Sequence, residues 1–303
     1  MARVVGAILN QCEAFVLESI VFQLVNSLVY AMLLFIMSAG LSLIFGLMNV
    51  VNLAHGSFFM LGAFFGLTIA KWTGSYWLAL ALAPIPAIVI GVLIERVFIR
   101  HLYSRGHLDQ VLLTFGFTFV FIDAVRWIWG PDIRDLPPPP SLEGAVEFLG
   151  LVLPVYRLFL IGFGLVVALL LWLFLERSRV GAMVRAGVDD AATASGLGIN
   201  VPVLFGLIFA LGVGLAALGG VAAGPVLGLY PGMDIDILIP AFIVVVIGGM
   251  GSLRGAFVAS IFVSLVDTFG KAYFPSMALF LIYLLMVVVL LTRPNGLFGI
   301  SKA

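Results

Sequence analysis

The chain has 303 residues, of which 63% are hydrophobic and only 10% charged, with 15 basic and 15 acidic residues that cancel; its mean hydropathy is +1.25. A soluble domain of this size could not cover itself with polar groups at that composition, so the chain reads as an all-α polytopic membrane protein forming a single transmembrane domain over residues 1–303. Zero net charge points to no nucleic-acid partner, and the one cysteine, Cys12, excludes an intramolecular disulfide or a Cys-based zinc cluster.

The opening residues, MARVVGAILNQCEAF, read as a short interfacial segment. No small-residue cleavage site follows the first apolar run, so that run is expected to belong to the mature protein and not to a signal peptide. A helix needs about 20 apolar residues to cross the hydrocarbon core. On that criterion spans fall at about 20–44, 48–70, 77–94, 111–130, 155–175, 203–226, 237–252, 255–270 and 276–292. That predicts eight or nine crossings, of which the second and the pair around GGMGSLRGA (Gly248 to Ala256) are short or broken.

Between Ser19 and Ala70 there is no Asp, Glu, Lys or Arg, yet residues 45–63, FGLMNVVNLAHGSFFMLGA, carry two Asn, a His and a Ser. Unpaired polar groups are costly in hydrocarbon. Such side chains therefore either hydrogen-bond helices together or border the path of a polar solute. On one continuous helix Ser38, Ser42, Asn49 and Gly56 fall within about 40° of one face, with Asn52 about 60° from Asn49. A break at Gly46 would void that comparison.

Basic residues fix the orientation. Arg96, Arg100 and Arg105 cluster in residues 95–109; Arg177, Arg179 and Arg185 lie in 176–200; Arg293 and Lys302 lie in the tail. Residues 131–150, PDIRDLPPPPSLEGAVEFLG, hold one Arg against four acids and follow Trp127 and Trp129. The first three segments are thus expected in the cytoplasm, and the proline-rich loop in the periplasm. Counting back from residue 95 puts the N-terminus outside, with Arg3 against. Asp123 and Arg126, and likewise Asp267 and Lys271, are spaced to pair along a helix near a span end, so ion coupling has little support.

Residues 176–202, ERSRVGAMVRAGVDDAATASGLGINVP, lie between two spans. Asp189 and Asp190 can cap a short helix; Ala191, Ala192 and Ala194 favour helix and leave a shallow surface; Gly196 and Gly198 then loosen it. A small-residue helix of this kind can seat in a groove of another protein. In the following span Gly212, Ala216, Gly220 and Gly224 recur every four residues, a ridge for close helix approach. There is no P-loop: Gly270-Lys271 lacks its upstream glycine and its downstream hydroxyl. There is no HExxH either, and His55, His101 and His107 are dispersed. Neither catalytic residues nor a metal site are expected. Any uphill transport must draw on an ion gradient or on a partner.

DDAATASGLGINVP resembles the EAA loop of ABC importer permeases, with Asp190-Ala191-Ala192 standing for Glu-Ala-Ala and Gly196 at the matching spacing. GLSLIFGLMNVVNLAHGSFFMLGA resembles the N-terminal signature of branched-chain amino-acid permeases of the LivH type, as do GGMGSLRGA and RPNGLFG (Arg293 to Gly299). The resemblance runs from about residue 20 to 300. It implies an ATP-driven importer of the bacterial inner membrane. In it this chain pairs with a LivM-like permease or a second copy of itself, with two cytoplasmic ATPase subunits that bind the ATP and a periplasmic substrate-binding protein. No cofactor is implied in this chain. Asp189, Asp190, Ala191, Ala192 and Gly196 become candidates for ATPase coupling. Candidates for the translocation path are Ser42, Asn49, Asn52, His55, Gly56, Gly248, Gly249 and Gly251. A permease of the same architecture for urea, an amide, an aromatic acid or a sugar is the alternative, and a stand-alone secondary transporter a more distant one.

Overall fold

The computed structural model describes residues 2–103, 105–148 and 151–299. In chain order these form α1 (Ala2–Met48), α2 (His55–Thr73), α3 (Tyr76–Leu82), α4 (Pro84–Val97), α5 (His107–Trp129), β1 (Ala145–Phe148), β2 (Leu151–Pro154), α6 (Val155–Arg177), α7 (Arg179–Asp189), α8 (Ala191–Gly196), α9 (Val201–Leu227), α10 (Met233–Gly248), α11 (Leu253–Tyr273) and α12 (Ala278–Thr292). The all-α membrane architecture expected from composition is the one observed.

Nine helical units, counting α3 and α4 as one, fall on the nine apolar runs. Seven are long and apolar enough to cross a membrane. The other two are α2, which opens on His55, Gly56 and Ser57, and α10, with 16 residues. At 1.5 Å per residue α10 spans about 24 Å, short of a hydrocarbon core about 30 Å thick. The expectation of short or broken spans therefore holds for α10 by its length and for the second run by the non-helical residues 49–54 ahead of α2, whereas α11, at 21 residues, is full length.

Helix α1 is the axis of the bundle, packing on α6, α9, α10 and α11. Its most apolar stretch is 83% buried, against 11% for the C-terminal span, which sits at the rim. Helices α5, α6 and α12 turn large side chains such as Phe119, Leu169, Leu170 and Leu279 outward, as lipid- or subunit-facing helices do. With lipid as solvent, close packing holds such helices together, and the glycine ridge of α9 provides it. A Cβ on Gly40 would lie 2.7 Å from the Gly212 carbonyl, and one on Gly62 or Gly220 would collide with the facing backbone of α9 or α2.

One end of the bundle is tied by polar bonds. Tyr76 and Tyr156 share a 2.7 Å hydrogen bond and Tyr156 donates to the Ala222 carbonyl at 2.7 Å; Trp129 Nε1 donates to Thr68 at 2.8 Å. The proline-rich segment lies at this end. It leads into the antiparallel pair β1–β2, with Ala145 opposite Pro154 and Phe148 opposite Leu151. Arg134 and Leu229 exchange both backbone bonds, joining it to the α9–α10 connection.

Candidate functional site

Helix α1 does not break at Gly46 but runs through it to Met48, and the chain turns at Asn49. Asn49 has φ 52°, the left-handed region, and its amide donates to the Phe45 carbonyl at 2.9 Å. Asparagine is one of the few side chains that enters this region readily. The single-face comparison of Ser38, Ser42, Asn49 and Gly56 thus does not extend past Met48, because α2 starts afresh at His55.

The break is folded back into the bundle. The Leu53 amide donates to Thr114 Oγ1 at 3.1 Å, and Thr114 lies seven residues, about 10 Å, inside α5. His55 Nε2 donates to the Met37 carbonyl at 3.2 Å, eleven residues or about 16 Å before the end of α1. Non-helical backbone at such a depth is tolerated only inside protein or along a water-filled cavity.

Around the first turn of α2 lies a buried polar cluster. Ser57 donates to Asp234 Oδ2 at 2.7 Å and Ser38 to the Ala241 carbonyl at 3.3 Å, so these two side chains bond α2 and α1 to α10. Gly56 lets α10 approach, since a Cβ there would collide with the Asp234 carbonyl. Asn52 and His55 are fully buried, and Ser42 and Asp234 nearly so. Yet Ser42 Oγ, both polar atoms of the Asn52 amide, His55 Nδ1 and Asp234 Oδ1 have no protein partner among the described residues. Buried groups of this kind ordinarily find water or a ligand. Asn49 differs from Asn52 in being exposed. Ser57 was read from sequence only as one polar residue of the 45–63 stretch, and Asp234 was not singled out; its signal was MDID, acidic residues opening an apolar run in a chain otherwise poor in acids.

Gly248, Gly249 and Gly251 stand apart from this cluster, at the far end of α10. Gly249 and Gly251 have φ of 95° and 82°, conformations that favour glycine. Gly251 packs on Gly46, where a Cβ on either would intrude on the other. The RPNGLFG segment closes against the same turn: Leu297 and Phe298 amides donate to the Ile247 and Gly248 carbonyls at 2.8 and 3.1 Å. These bonds satisfy carbonyls that the end of α10 leaves open. Two motifs separated by forty residues are therefore one structural unit.

At this end also lie α7 and α8. Glu176 receives Arg185 at 3.9 Å and Arg254 at 3.3 Å, linking α6, α7 and α11. A Cβ on Gly187 of α7 would sit 3.0 Å from Leu47 Cδ1, so the last turn of α1 is held between α7 and the Gly251 turn. Asp190, not Asp189, caps α8. Its carboxylate accepts from the Ala192 and Thr193 amides at 2.9 and 3.1 Å and from the Thr193 hydroxyl at 2.5 Å. The Thr193 hydroxyl, then the Thr193 and Ala192 amides, hold that carboxyl below its ordinary range. Asp189 ends α7. Ala194 is buried, whereas Ala192, Thr193, Gly196 and Leu197 face outward, Leu197 at 78% exposure. A Cβ on Gly196 would meet nothing within 4 Å. Ala191 occupies the first turn of α8.

The two ion pairs read from spacing are formed, Asp123–Arg126 at 3.3 Å and Asp267–Lys271 at 2.6 Å. Both partners of the first are more than half exposed, so it contributes little.

The family model "Branched-chain amino acid transport system / permease component" matches residues 23–290. Among curated proteins the chain is 29% identical to the high-affinity branched-chain amino acid transport system permease protein BraD of Pseudomonas aeruginosa, over 91% of this chain and 95% of that one. It is 27% identical to the permease protein LivH of Escherichia coli, over 87% and 90%. It is 24% identical to the probable LivH of Methanocaldococcus jannaschii, over 91% of each. Among solved structures, PsaBC from Streptococcus pneumoniae in complex with Fab covers 90% of the chain at 13% identity and a TM-score of 0.50, a likeness of fold. Taken with the nine helical units, the broken second span and the paired glycine motifs, the match assigns this multi-pass membrane chain to the branched-chain amino acid transport system permease component family, a family of transport components and not of enzymes.

Proposed function

We propose that the chain is the permease subunit of an ATP-driven importer for branched-chain amino acids. It works beside a LivM-like permease or a second copy of itself, two ATPase subunits that bind ATP in the cytoplasm, and a periplasmic binding protein that delivers the solute. The observation that carries this reading is α8. The helix caps itself through Asp190, and it turns Ala192, Gly196 and Leu197 away from the bundle, with open space at Gly196. Among the described residues nothing lies within 4 Å of a Cβ at 196, so the flat surface there is open to a partner. In this reading a push on α8 reaches α7, passes through Gly187 to Leu47, and tilts the end of α1. The Asn49 turn then acts as hinge. The unpartnered groups of Ser42, Asn52 and His55 meet water or solute as the path opens, and Gly248, Gly249 and Gly251 form the pivot beneath it.

The basic segments 95–109, 176–200 and the C-terminus then face the cytoplasm, and the N-terminus and the β1–β2 hairpin the periplasm. The test is a thiol at position 192 in a Cys12→Ser background, together with Gly196→Trp. The thiol should crosslink to the ATPase subunit. The tryptophan variant should assemble normally and lose uptake. Normal uptake by Gly196→Trp with no crosslink would refute the docking.

A further inference from the structure

At the hairpin-bearing end of the bundle a cleft of about 240 Å³ opens between α1, α6, α9 and α11. At about 30 Å³ per water it has room for roughly eight waters, the size of a small amino acid. Its lining combines charged and apolar side chains. Arg157, in the first turn of α6, donates to Asn26 Oδ1 at 2.5 Å and lies 5.5 Å over the Phe22 ring. Among the described residues it has no carboxylate within ion-pair distance. Asp267, which also lines the cleft, is only 7% exposed and holds Lys271, itself 64% exposed, at 2.6 Å. Its apolar lining is Val29, Leu33, Val226 and Leu227.

We propose that this cleft is an entry site for a zwitterionic α-amino acid with an apolar side chain, resting on the permease reading above. Arg157 has an unneutralised guanidinium whose fork matches a carboxylate. Asp267 offers an acceptor to an ammonium, which takes the place of Lys271 so that the buried carboxylate stays paired while the exposed Lys271 head turns to water. The apolar lining takes the side chain. With the hairpin on the periplasmic face, a solute released from the binding protein meets this cleft before the Asn52–His55 cluster.

The experiment uses the assembled complex in nanodiscs, Thr268→Cys in a Cys12→Ser background, and a charged methanethiosulfonate. Leucine should slow labelling by a factor of one plus concentration over Kd, about threefold at twice the Kd. 3-Methylbutylamine, which lacks the carboxylate, and 4-methylpentanoate, which lacks the ammonium, should protect less. Arg157→Gln should abolish protection and Arg157→Lys should weaken it, with assembly checked by size exclusion for each. Equal protection by either analogue, or none by leucine, overturns the proposal. So does slow labelling that ignores leucine and tracks phosphatidylethanolamine content, which would make the cleft a lipid headgroup site. ATP-driven leucine uptake by the unmodified complex is measured alongside. Its absence sinks the permease reading, whereas intact uptake with an unprotected thiol sinks the cleft alone.

Discussion

Asn49 separates a backbone role from a side-chain role at the break. Its φ of 52° costs an ordinary L-residue about 1–2 kcal/mol, which asparagine partly escapes and glycine wholly. Its side chain is exposed. Asn49→Ala should therefore weaken the turn by about 1 kcal/mol, and Asn49→Val, bulkier and β-branched, by about 2 kcal/mol. Shifts of 1–2 kcal/mol change a two-state ratio about 5- to 30-fold, here in favour of α1 continuing as helix and misplacing Asn52 and His55. Asn49→Gly should sit near the parent, less a few tenths of a kcal/mol of chain entropy. Uptake per assembled complex and thermal unfolding should both rank Asn and Gly above Ala, and Ala above Val. If Asn49→Gly failed as badly as Asn49→Val while Asn49→Asp transported normally, side-chain chemistry would be carrying the function and the backbone argument would fall.

Gly46→Val should drive a side chain into Gly251, an overpacking cost of about 1–3 kcal/mol, lowering the unfolding temperature; an unchanged temperature would show that the Gly46–Gly251 contact is not formed in the assembled protein. The Asp190 cap has a definite pH sign. Because the folded carboxyl lies below its ordinary 3.8, the cap's stabilisation is fully present above that value and is lost as pH falls through the lower folded one. Hydrogen exchange at the Ala192 and Thr193 amides should thus stay protected from neutrality down to mild acid in the parent and lose protection at all pH values in Asp190→Ala. Equal protection in both would mean that α8 is held from outside itself.

Much of this was legible in the residues. Long charge-free runs can only be buried or in lipid, so the nine helical units fell where hydropathy put them. The glycine ridge of α9 announced the close approaches at Gly212 and Gly220. The place of the break was not legible, because Gly46, a poor helix former, is kept helical by its contact with Gly251, a partner some two hundred residues away. Nor could sequence choose between Asp189 and Asp190 as cap, since the choice depends on where α7 ends. The closure of RPNGLFG onto GGMGSLRGA and the burial of Asp234 against Ser57 are likewise long-range facts that no local spacing encodes. The β1–β2 hairpin at the end of the proline-rich loop carried only a four-residue signal on each strand, too short to read.

The central claim is that this chain conducts branched-chain amino acids only when ATPases act on α8. The most direct test is leucine uptake into proteoliposomes holding the purified permease pair and ATPases, with binding protein and leucine outside and ATP inside. The account predicts uptake that needs both ATP and the binding protein and that Gly196→Trp abolishes while the complex stays assembled. Leucine uptake without the ATPases, or ATP-dependent uptake of another solute in place of branched-chain amino acids, would contradict it.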